Sequence, residues 1–443
     1  MSKRNMATKP ILECVPPTEA PAPRKAPARA MPFAFARHKW LPDSVSKLIF
    51  GAPLAPTKEE WDRVLKALWE GDKEMDKVVD WMFEAGPREA KAMFDQALMH
   101  GIDSVENPPA PLKAFFAHID KPPAWLDPAL AEQGVKVSRL PGDVSYLVLR
   151  DFALMGGYAL FNSMNQTLSA TGALGKQTAQ RLAETGKWAN DVTSDHGMDR
   201  FGSGFITTIR VRMVHGLVRR NLRLKKDWEW DKWGLPINQI DMLSTYLAFG
   251  PVSLMGSRLF GVFFSKKESK AFMHLWRYIG WLLGMDEHWL AITEGDGLRK
   301  LYHTFMTHRL PDEKVTMMGK ALRNEPISEH PVTRNSELTK KHPTLAKWMQ
   351  RYYYQLHISN SSLFLGPIQR RRLGIPLWAV PWYPVLTFAP RLLKIMYYKI
   401  RGGKTLEDYL ERNRKAQNDR VLSFFGEQAS DIIRPQQGHP AHL

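Results

Sequence analysis

The segment whose residue types are best suited to chemistry runs from Gly204 to Arg220 and reads GFITTIRVRMVHGLVRR. On a helix, Val211, Val214 and Val218 lie beside His215, so the imidazole stands on an apolar stripe. An imidazole placed in this way can coordinate haem iron while the stripe packs against the porphyrin. The plainer interpretation is a core histidine, and the segment alone leaves both open.

Two arginines border this stripe. Arg212 precedes His215 by three residues and Arg219 follows it by four, so all three share one broad helical face. A guanidinium donates charge-assisted hydrogen bonds to carboxylates such as haem propionates. The segment therefore predicts His215 as a metal ligand, and it predicts cofactor-binding roles for the residues around it, namely Arg212, Arg219, Val211 and Val218.

A second polar pair lies upstream, in the sequence RLAETGKW of residues 181–188. Arg181 and Thr185 are four residues apart and share one face of a predicted helix. Both side chains are therefore expected to point the same way from that helix.

Together these two segments carry a family resemblance. Arg181 and Thr185, followed by the Arg212, His215 and Arg219 pattern, resemble the core of the latex-clearing-protein family, the rubber oxygenases. They also resemble the wider family that contains the membrane-bound oxygenase of mycophenolic acid biosynthesis. Segments 239–249 and 275–284 extend the resemblance over roughly residues 40–400.

The resemblance implies an enlarged globin-like helical core that holds a non-covalent b-type haem. It implies that His215 is the proximal ligand of the iron. It also implies that Arg181 and Thr185 are catalytic residues that either line the distal side or anchor haem and water. It further implies O₂ as co-substrate and oxidative cleavage of a C=C bond in an apolar, isoprenoid-like alkene.

Two positions depart from the family pattern. Glu184 stands where the rubber-cleaving members have an axial lysine, and the nearest lysine, Lys187, is one turn further on. An ungapped count from the catalytic glutamate of those enzymes reaches Asn165, with Asn162 and Gln166 nearby. The second axial ligand and the catalytic base therefore stay open.

Other cofactor motifs are missing from the sequence. None of the 14 histidines has Asp or Glu three residues before it, which argues against a carboxylate-bridged di-iron bundle. There is no H-E-x-x-H zinc motif. The triplet Gly403-Lys404-Thr405 lacks the first glycine of a P-loop, because Tyr398 occupies that position.

The charge balance points to a lipid surface. The net charge is +17, and the eight Lys and Arg residues between Gln369 and Lys404 are accompanied by no acidic residue. The uncharged stretch from Ile375 to Ala389 is rich in aromatic and aliphatic residues. Basic residues mixed with apolar ones favour an anionic membrane surface and argue against nucleic acid as a partner. We expect this segment to lie on the membrane, because four prolines, from Pro376 to Pro390, would break a spanning helix.

Compartment signals are few. The stretch before Trp40 contains no apolar core of a signal peptide, and the sequence has no uncharged apolar run of 18 residues. The single cysteine, Cys14, cannot form an intramolecular disulfide. We therefore expect a cytoplasmic protein that associates peripherally with membranes and has neither a signal peptide nor a transmembrane helix.

Helical signals dominate the chain and predict a single all-α domain. A capping box runs from Thr57 to Glu60, Gly86-Pro87 and Asp127-Pro128 begin further helices, and another capping box lies at residues 405–408. Periodic segments predict helices over residues 143–168 with a break at Gly156-Gly157, and over 176–190, 206–220, 238–264, 267–284 and 288–308. We expect a disordered basic tail over residues 1–37, the haem-binding domain over 38–410, and a C-terminal helix and tail over 411–443.

Three functions compete at this stage. The first is a haem-dependent oxygenase acting on an apolar alkene. The second is a non-catalytic haem-binding or lipid-binding protein of the same fold, which is favoured by Glu184 and by the missing catalytic glutamate. The third is a basic membrane scaffold without a cofactor, which depends only on the segment 369–404.

Overall fold

The all-α prediction is confirmed. The computed structural model describes residues 25–161, 163–170, 178–308, 313–328 and 341–425, and these ranges contain helices but no strand. The helices of the first half are α1 (Phe33–Ala36), α2 (Asp43–Phe50), α3 (Lys58–Ala67), α4 (Lys73–Ala85), α5 (Pro87–His100), α6 (Ala110–Ile119), α7 (Pro128–Ser138), α8 (Val144–Leu147), α9 (Met155–Leu160), α10 (Asn165–Ala170) and α11 (Thr178–Val192).

The second half of the chain begins with the helix that carries His215. Its helices are α12 (Ser203–Arg223), α13 (Trp230–Trp233), α14 (Gln239–Phe249), α15 (Pro251–Leu259), α16 (Lys266–Leu282), α17 (Glu294–Phe305), α18 (Glu313–Ser328), α19 (Pro343–Ser362), α20 (Pro367–Leu373), α21 (Trp382–Arg401) and α22 (Gly403–Phe425).

Local capping starts the early helices where the sequence predicts. The backbone N–H of Thr57 donates to Glu60 Oε2 at 2.8 Å, and the N–H of Glu60 donates to Thr57 Oγ1 at 3.2 Å. Pro87 occupies the first position of α5, and the Asp127 carboxylate accepts from the N–H of Leu130 at the start of α7. The first turn of a helix leaves its N–H groups without partners inside the helix. The Thr57, Glu60 and Asp127 side chains accept from such groups, whereas Pro87 has no N–H to satisfy.

Several longer helices differ from the predicted bounds. The chain from Val144 continues through a π-helical stretch, Val148–Leu154, and is interrupted after Leu160, not at Gly156-Gly157. The predicted helix 238–264 is divided at Gly250, because Pro251 has no N–H to continue it and begins α15. Helix α17 begins only at Glu294, and α22 begins at Gly403, ahead of the predicted capping box.

Helix α12 lies against α4, α5, α11 and α16. Its close contact with α4 depends on Gly216, where an added Cβ would lie 3.0 Å from both Met75 Cγ and Val79 Cγ2. A large aromatic and aliphatic core surrounds this contact. The fold therefore places the middle of α12, including His215, between α4 and α11.

The predicted N-terminal tail is too long. Residues 1–24 lie outside the described residues, but residues 25–37 pack on the helical core. The Arg29 guanidinium is buried, and its Nη2 donates to Asp241 Oδ1 at 2.6 Å. Its Nη1 donates to the carbonyl of Trp233 at 3.2 Å. The packed domain therefore begins ahead of residue 38.

The prolines of the segment 375–390 do not all interrupt helical structure. Helix α21 runs for 20 residues, with Pro384 in its first turns and Pro390 inside it. Across the described ranges, no helix combines the length and apolarity needed to cross a membrane.

Candidate functional site

Helices α11 and α12 form an antiparallel pair with one fixed register. At the tight end of the pair, a Cβ added to Gly204 would lie only 2.7 Å from Val192 Cα. One turn further, Trp188 Nε1 donates to Thr208 Oγ1 at 3.0 Å. Both contacts belong to the same antiparallel register, because moving four residues toward the start of α11 corresponds to moving four residues toward the end of α12.

This register aligns the predicted site residues. Seven residues beyond the Trp188–Thr208 contact, Arg181 on α11 and His215 on α12 lie at the same level along the pair. Thr185 lies level with Val211 in the same way. The two predicted catalytic residues therefore lie on the helix that pairs with α12, and their contact with a substrate or cofactor stays a prediction. Arg181 is half-buried and Thr185 is exposed.

His215 is half-buried on α12, and its Nδ1 atom is buried without a hydrogen-bond partner among the described residues. Burial lowers the pKa of His215 to about 4, and the neighbouring Arg219 adds to this effect while Asp72 opposes it. The imidazole is therefore neutral at pH 7, which is the form that binds iron.

The two arginines beside His215 reach acidic residues on α4. Arg212 Nε and Nη2 donate to the two carboxylate oxygens of Asp72 at 2.6 and 2.8 Å, and Nη2 also reaches Glu74 at 3.1 Å. Arg219 Nε donates to Asp76 at 2.8 Å. Both guanidiniums are buried, so the two carboxylates compensate their charges.

These partners bear on the predicted propionate contacts. Arg212 Nη1 also donates to the carbonyl of Leu282, and Arg219 Nη1 to that of Ile237. A propionate would therefore have to share guanidiniums that protein groups already bind, and the cofactor role of Arg212 and Arg219 stays a prediction. Sequence reasoning missed Asp72 and Asp76, whose only signal is an acidic residue every fourth position at the start of α4.

The valines divide between two apolar surroundings. Val218 is buried in a cluster with Leu222 and Trp228, whereas Val211 is half-buried against the main core. Both therefore line apolar surfaces beside His215, and their contact with a cofactor stays a prediction.

The positions that depart from the family pattern have defined partners. Lys187 Nζ lies 2.6 Å from both carboxylate oxygens of Asp191 on the same helix. The Asn165 amide donates to the carbonyls of Phe161 and Gly157, at the end of α9. Asn162 lies outside the described residues. Lys187 and Asn165 therefore both have local structural roles.

Glu184 lies between Arg181 and Thr185 on α11 and is half-buried. Gln180 Nε2 donates to Glu184 Oε1 at 2.9 Å. Burial raises the pKa of the Glu184 carboxyl, while the Gln180 hydrogen bond and Arg181 oppose the shift. The carboxyl is therefore better suited to exchange a proton than to bind iron.

A second buried polar network was not found from the sequence. Arg150, in the π-helical stretch, donates to Asp151 Oδ1 at 2.6 Å and to Glu325 Oε2 at 2.9 Å. Asp151 also contacts His357 Nδ1 at 2.7 Å and accepts from Asn360 Nδ2 at 2.8 Å. The network joins the π-helical stretch to α18 and α19, and its members are too far apart in sequence to form a motif.

Within the described ranges, no group of three His, Cys, Asp or Glu side chains could hold a metal ion. A single histidine such as His215 is the kind of ligand that a protein adds to a haem, whose porphyrin supplies four ligands.

Comparisons with known proteins identify a family for this chain. Residues 145–392 match the family described as ER-bound oxygenase mpaB/B'/Rubber oxygenase, catalytic domain. The rubber oxygenase of Streptomyces sp. (strain K30) is 27% identical over 202 residues, which are 45% of this chain and 47% of that protein. The chain thus aligns with about half the length of this relative.

A solved structure extends the comparison to the fold. Latex clearing protein LCP in the closed state aligns with a TM-score of 0.60 and 17% identity. The alignment covers 87% of this chain and 96% of the other. The likeness therefore includes the helices outside the matched family segment, and at this identity it concerns the fold alone.

Proposed function

Because the chain belongs to the family of mpaB/B' oxygenases and rubber oxygenases, we propose that it is a b-type haem-dependent oxygenase. Its proposed substrates are O₂ and an apolar, isoprenoid-like alkene. One observation carries the proposal: the buried Nδ1 atom of His215 has no hydrogen-bond partner among the described residues, on a ring whose pKa is lowered by burial to about 4.

The residues of α12 fit the proposed cofactor. His215 would be the protein ligand of the haem iron, with Val211 and Val218 packing against the ring. Bound haem would supply the activation of O₂ for cleavage of a C=C bond, which protein side chains cannot provide. The buried pairs of Arg212 and Arg219 with α4 hold the helix, and therefore the imidazole, in a fixed position.

The facing helix would handle protons and orientation. Arg181 and Thr185 would donate hydrogen bonds to a bound polar atom at the level of His215. Burial raises the pKa of the Glu184 carboxyl, and its Oε2 is the oxygen that Gln180 does not contact, so this group would be the one on α11 to exchange a proton with a bound substrate. Trp188 of the same helix forms an aromatic cluster with Phe249 and Trp276, which would help to exclude water.

The first test is spectroscopic. The protein should purify with non-covalent haem that acidified organic solvent extracts, and His215→Ala should lose the Soret band because the iron has lost its protein ligand. His196→Ala is the matched control, since the His196 side chain is 79% exposed. Full haem occupancy in the His215 variant, with an unchanged spectrum, would refute the assignment.

The second candidate is a non-catalytic haem-binding protein, and the presence of Glu184 and Asn165 at two family positions favours it. Oxygen uptake separates the two functions. An oxygenase consumes O₂ when an isoprenoid alkene is added and releases a carbonyl product, whereas a carrier does neither. Glu184→Gln should slow uptake while the Soret band is kept. A cytoplasmic location is part of the same proposal and can be checked by cell fractionation.

A further inference from the structure

One long stretch of the chain has no acidic residue. Between Glu337 and Glu407 there is no Asp or Glu, and every side chain that is charged at neutral pH is Lys or Arg, with histidine left out. This stretch includes helices α19, α20 and α21, and it also contains many of the exposed large apolar side chains of the described residues. Basic charge and exposed apolar area therefore coincide in one part of the fold.

The inner face of α21 is firmly attached to the domain. Pro384 and Ile395 are buried. Arg391 Nη1 donates to the carbonyl of Phe260 at 2.7 Å, and Lys399 Nζ lies 2.7 Å from Glu268 Oε2. These contacts fix the rotation of the helix about its axis, so the residues on its opposite face point away from the core.

That opposite face is apolar. Leu386 is 68% exposed and Ile400 is 79% exposed, and Leu393 and Tyr397 between them are also exposed. Their spacings of seven, four and three residues place all four on one side of the helix. Soluble helices normally direct such a stripe toward the core, whereas α21 directs it outward.

The exposed apolar surface continues beyond α21. Trp378, in the turn before the helix, is 77% exposed, and Val380 follows it. On α19, the exposed Trp348 stacks on Tyr352 with ring centroids 5.6 Å apart, and Tyr352 contacts Trp382 at 6.3 Å. We call this surface the α21 face; it comprises Trp348, Tyr352, Trp378, Val380, Leu386, Leu393, Tyr397 and Ile400.

Exposed basic residues border the α21 face. Lys394 and Arg401 are seven residues apart and lie beside the apolar stripe of α21. Arg371 and Arg372 are exposed on α20, just before Trp378. Aromatic side chains between basic ones suit the interface of an anionic lipid leaflet, where rings lie at headgroup level and cations meet phosphate.

We propose that the α21 face is a docking surface for an anionic membrane. The occupant follows from the charges. A second copy of this chain docked symmetrically on the same face would bring basic residues against basic residues, and nucleic acid would leave the apolar stripe in water. No described helix could cross the bilayer, so the contact is peripheral. On the proposed function, docking would let an apolar substrate pass from lipid to enzyme.

Vesicle flotation of the purified 443-residue protein tests this surface. Wild type should float with phosphatidylcholine vesicles that contain phosphatidylglycerol, and much less with phosphatidylcholine alone. The variant Trp378→Gln, Leu386→Gln, Ile400→Gln should partition at least about tenfold less, because three large side chains no longer enter the lipid. The control is Leu48→Gln, Ile292→Gln, Met317→Gln, which removes exposed apolar residues from other helices and loops and should float like wild type.

A charge variant separates the two contributions. Arg371→Gln, Lys394→Gln, Arg401→Gln should lose the preference for anionic vesicles, and added salt should have the same effect on wild type. Circular dichroism checks that each variant is folded, and if the triple apolar variant is not, Trp378→Gln alone replaces it.

Three results would overturn the proposal. The first is that wild type floats with neither vesicle, and the second is that the apolar variant floats as well as wild type. The third is light scattering that shows a dimer which the apolar variant converts to a monomer, because the α21 face would then bind another chain. None of these outcomes depends on haem, so failure of the oxygenase proposal would be seen separately in the Soret band.

Discussion

His215 illustrates how much of this site depends on single atoms. A buried polar atom without a hydrogen-bond partner costs about 1–3 kcal/mol, and His215 Nδ1 has no such partner among the described residues. This cost is tolerated where the ring has another function, and the proposed coordination of haem iron would be one. Local contacts also bear on Lys187 and Glu184, whose roles the family resemblance leaves open.

Lys187 should not be an axial ligand. Its Nζ is held by both oxygens of Asp191, so binding a metal would require this ion pair to break. The ferric protein should therefore be five-coordinate or carry water, and Lys187→Ala should leave its absorption spectrum unchanged. A six-coordinate low-spin spectrum with nitrogen ligation, lost in that variant, would contradict this expectation.

His303 should make stability depend on pH. Burial, together with Arg299, lowers the pKa of His303 from 6.5 to about 4. Between these values the unfolded chain binds a proton that the folded chain does not, so stability falls as the pH falls below 6.5. From pH 7.5 to pH 5 the loss is about 2 kcal/mol for this group. Urea unfolding at the two pH values measures the free energy of unfolding. Its decrease from pH 7.5 to pH 5 should be smaller by this amount in His303→Gln than in wild type. An identical loss in both proteins would rule the effect out.

At the scale of elements, the pairing of α12 with α4 is the main restraint on the site. Three acidic residues of α4 meet two buried arginines of α12, and Gly216 lets the two helices approach closely. Because the arginines flank His215 by three and four residues, movement of α12 relative to α4 would displace the imidazole. The α4 acids therefore serve as positioning residues for the proposed ligand.

Asp72→Asn should destabilise the protein by about 3–5 kcal/mol, because the buried Arg212 would lose its main charge partner. Glu74→Gln is the control on the same helix. Its side chain is 42% exposed, so it should cost less than about 1 kcal/mol. Thermal unfolding of the two variants measures the difference, and equal melting temperatures would show that Asp72 does not carry the pair.

At the scale of the whole molecule, distant parts of the chain close the core. Residues 25–37 lie against the α13–α14 region through Arg29, and the Arg150 network connects the π-helical stretch with α18 and α19. The acid-free surface around α21 lies on the outside of this assembly. The molecule thus combines a core that distant chain segments pack together with the exposed apolar surface of the α21 face.

Arg29→Ala should destabilise the domain by about 3–5 kcal/mol, because Asp241 would keep its charge in a buried position without the guanidinium. Arg37→Ala removes an exposed arginine from the same segment and should change stability by less than about 0.5 kcal/mol. Chemical denaturation compares them. If Arg29→Ala were as stable as Arg37→Ala, the first described residues would not belong to the cooperative core.

The sequence by itself determined the features that depend on neighbours within one or two helical turns. These are the all-α class, the capping of α3, α5 and α7, the apolar stripe at His215, and the family resemblance carried by Arg181, Thr185 and the α12 pattern. Helix periodicity and capping depend on residues that are close in sequence, so a prediction from the sequence and the structure agree on them. The predicted helix boundaries were wrong at Gly250-Pro251 and after Leu160, where more than one nearby residue could end a helix.

Only the tertiary structure decided which groups meet across the chain. Arg212 and Asp72 are 140 residues apart, and nothing in either local pattern says that they will pair. The same holds for Arg29 with Asp241 and for the register that sets Arg181 level with His215. The outward direction of α21 is also a tertiary property, because the composition of an amphipathic helix fixes an apolar face but not whether that face meets the core or the surroundings.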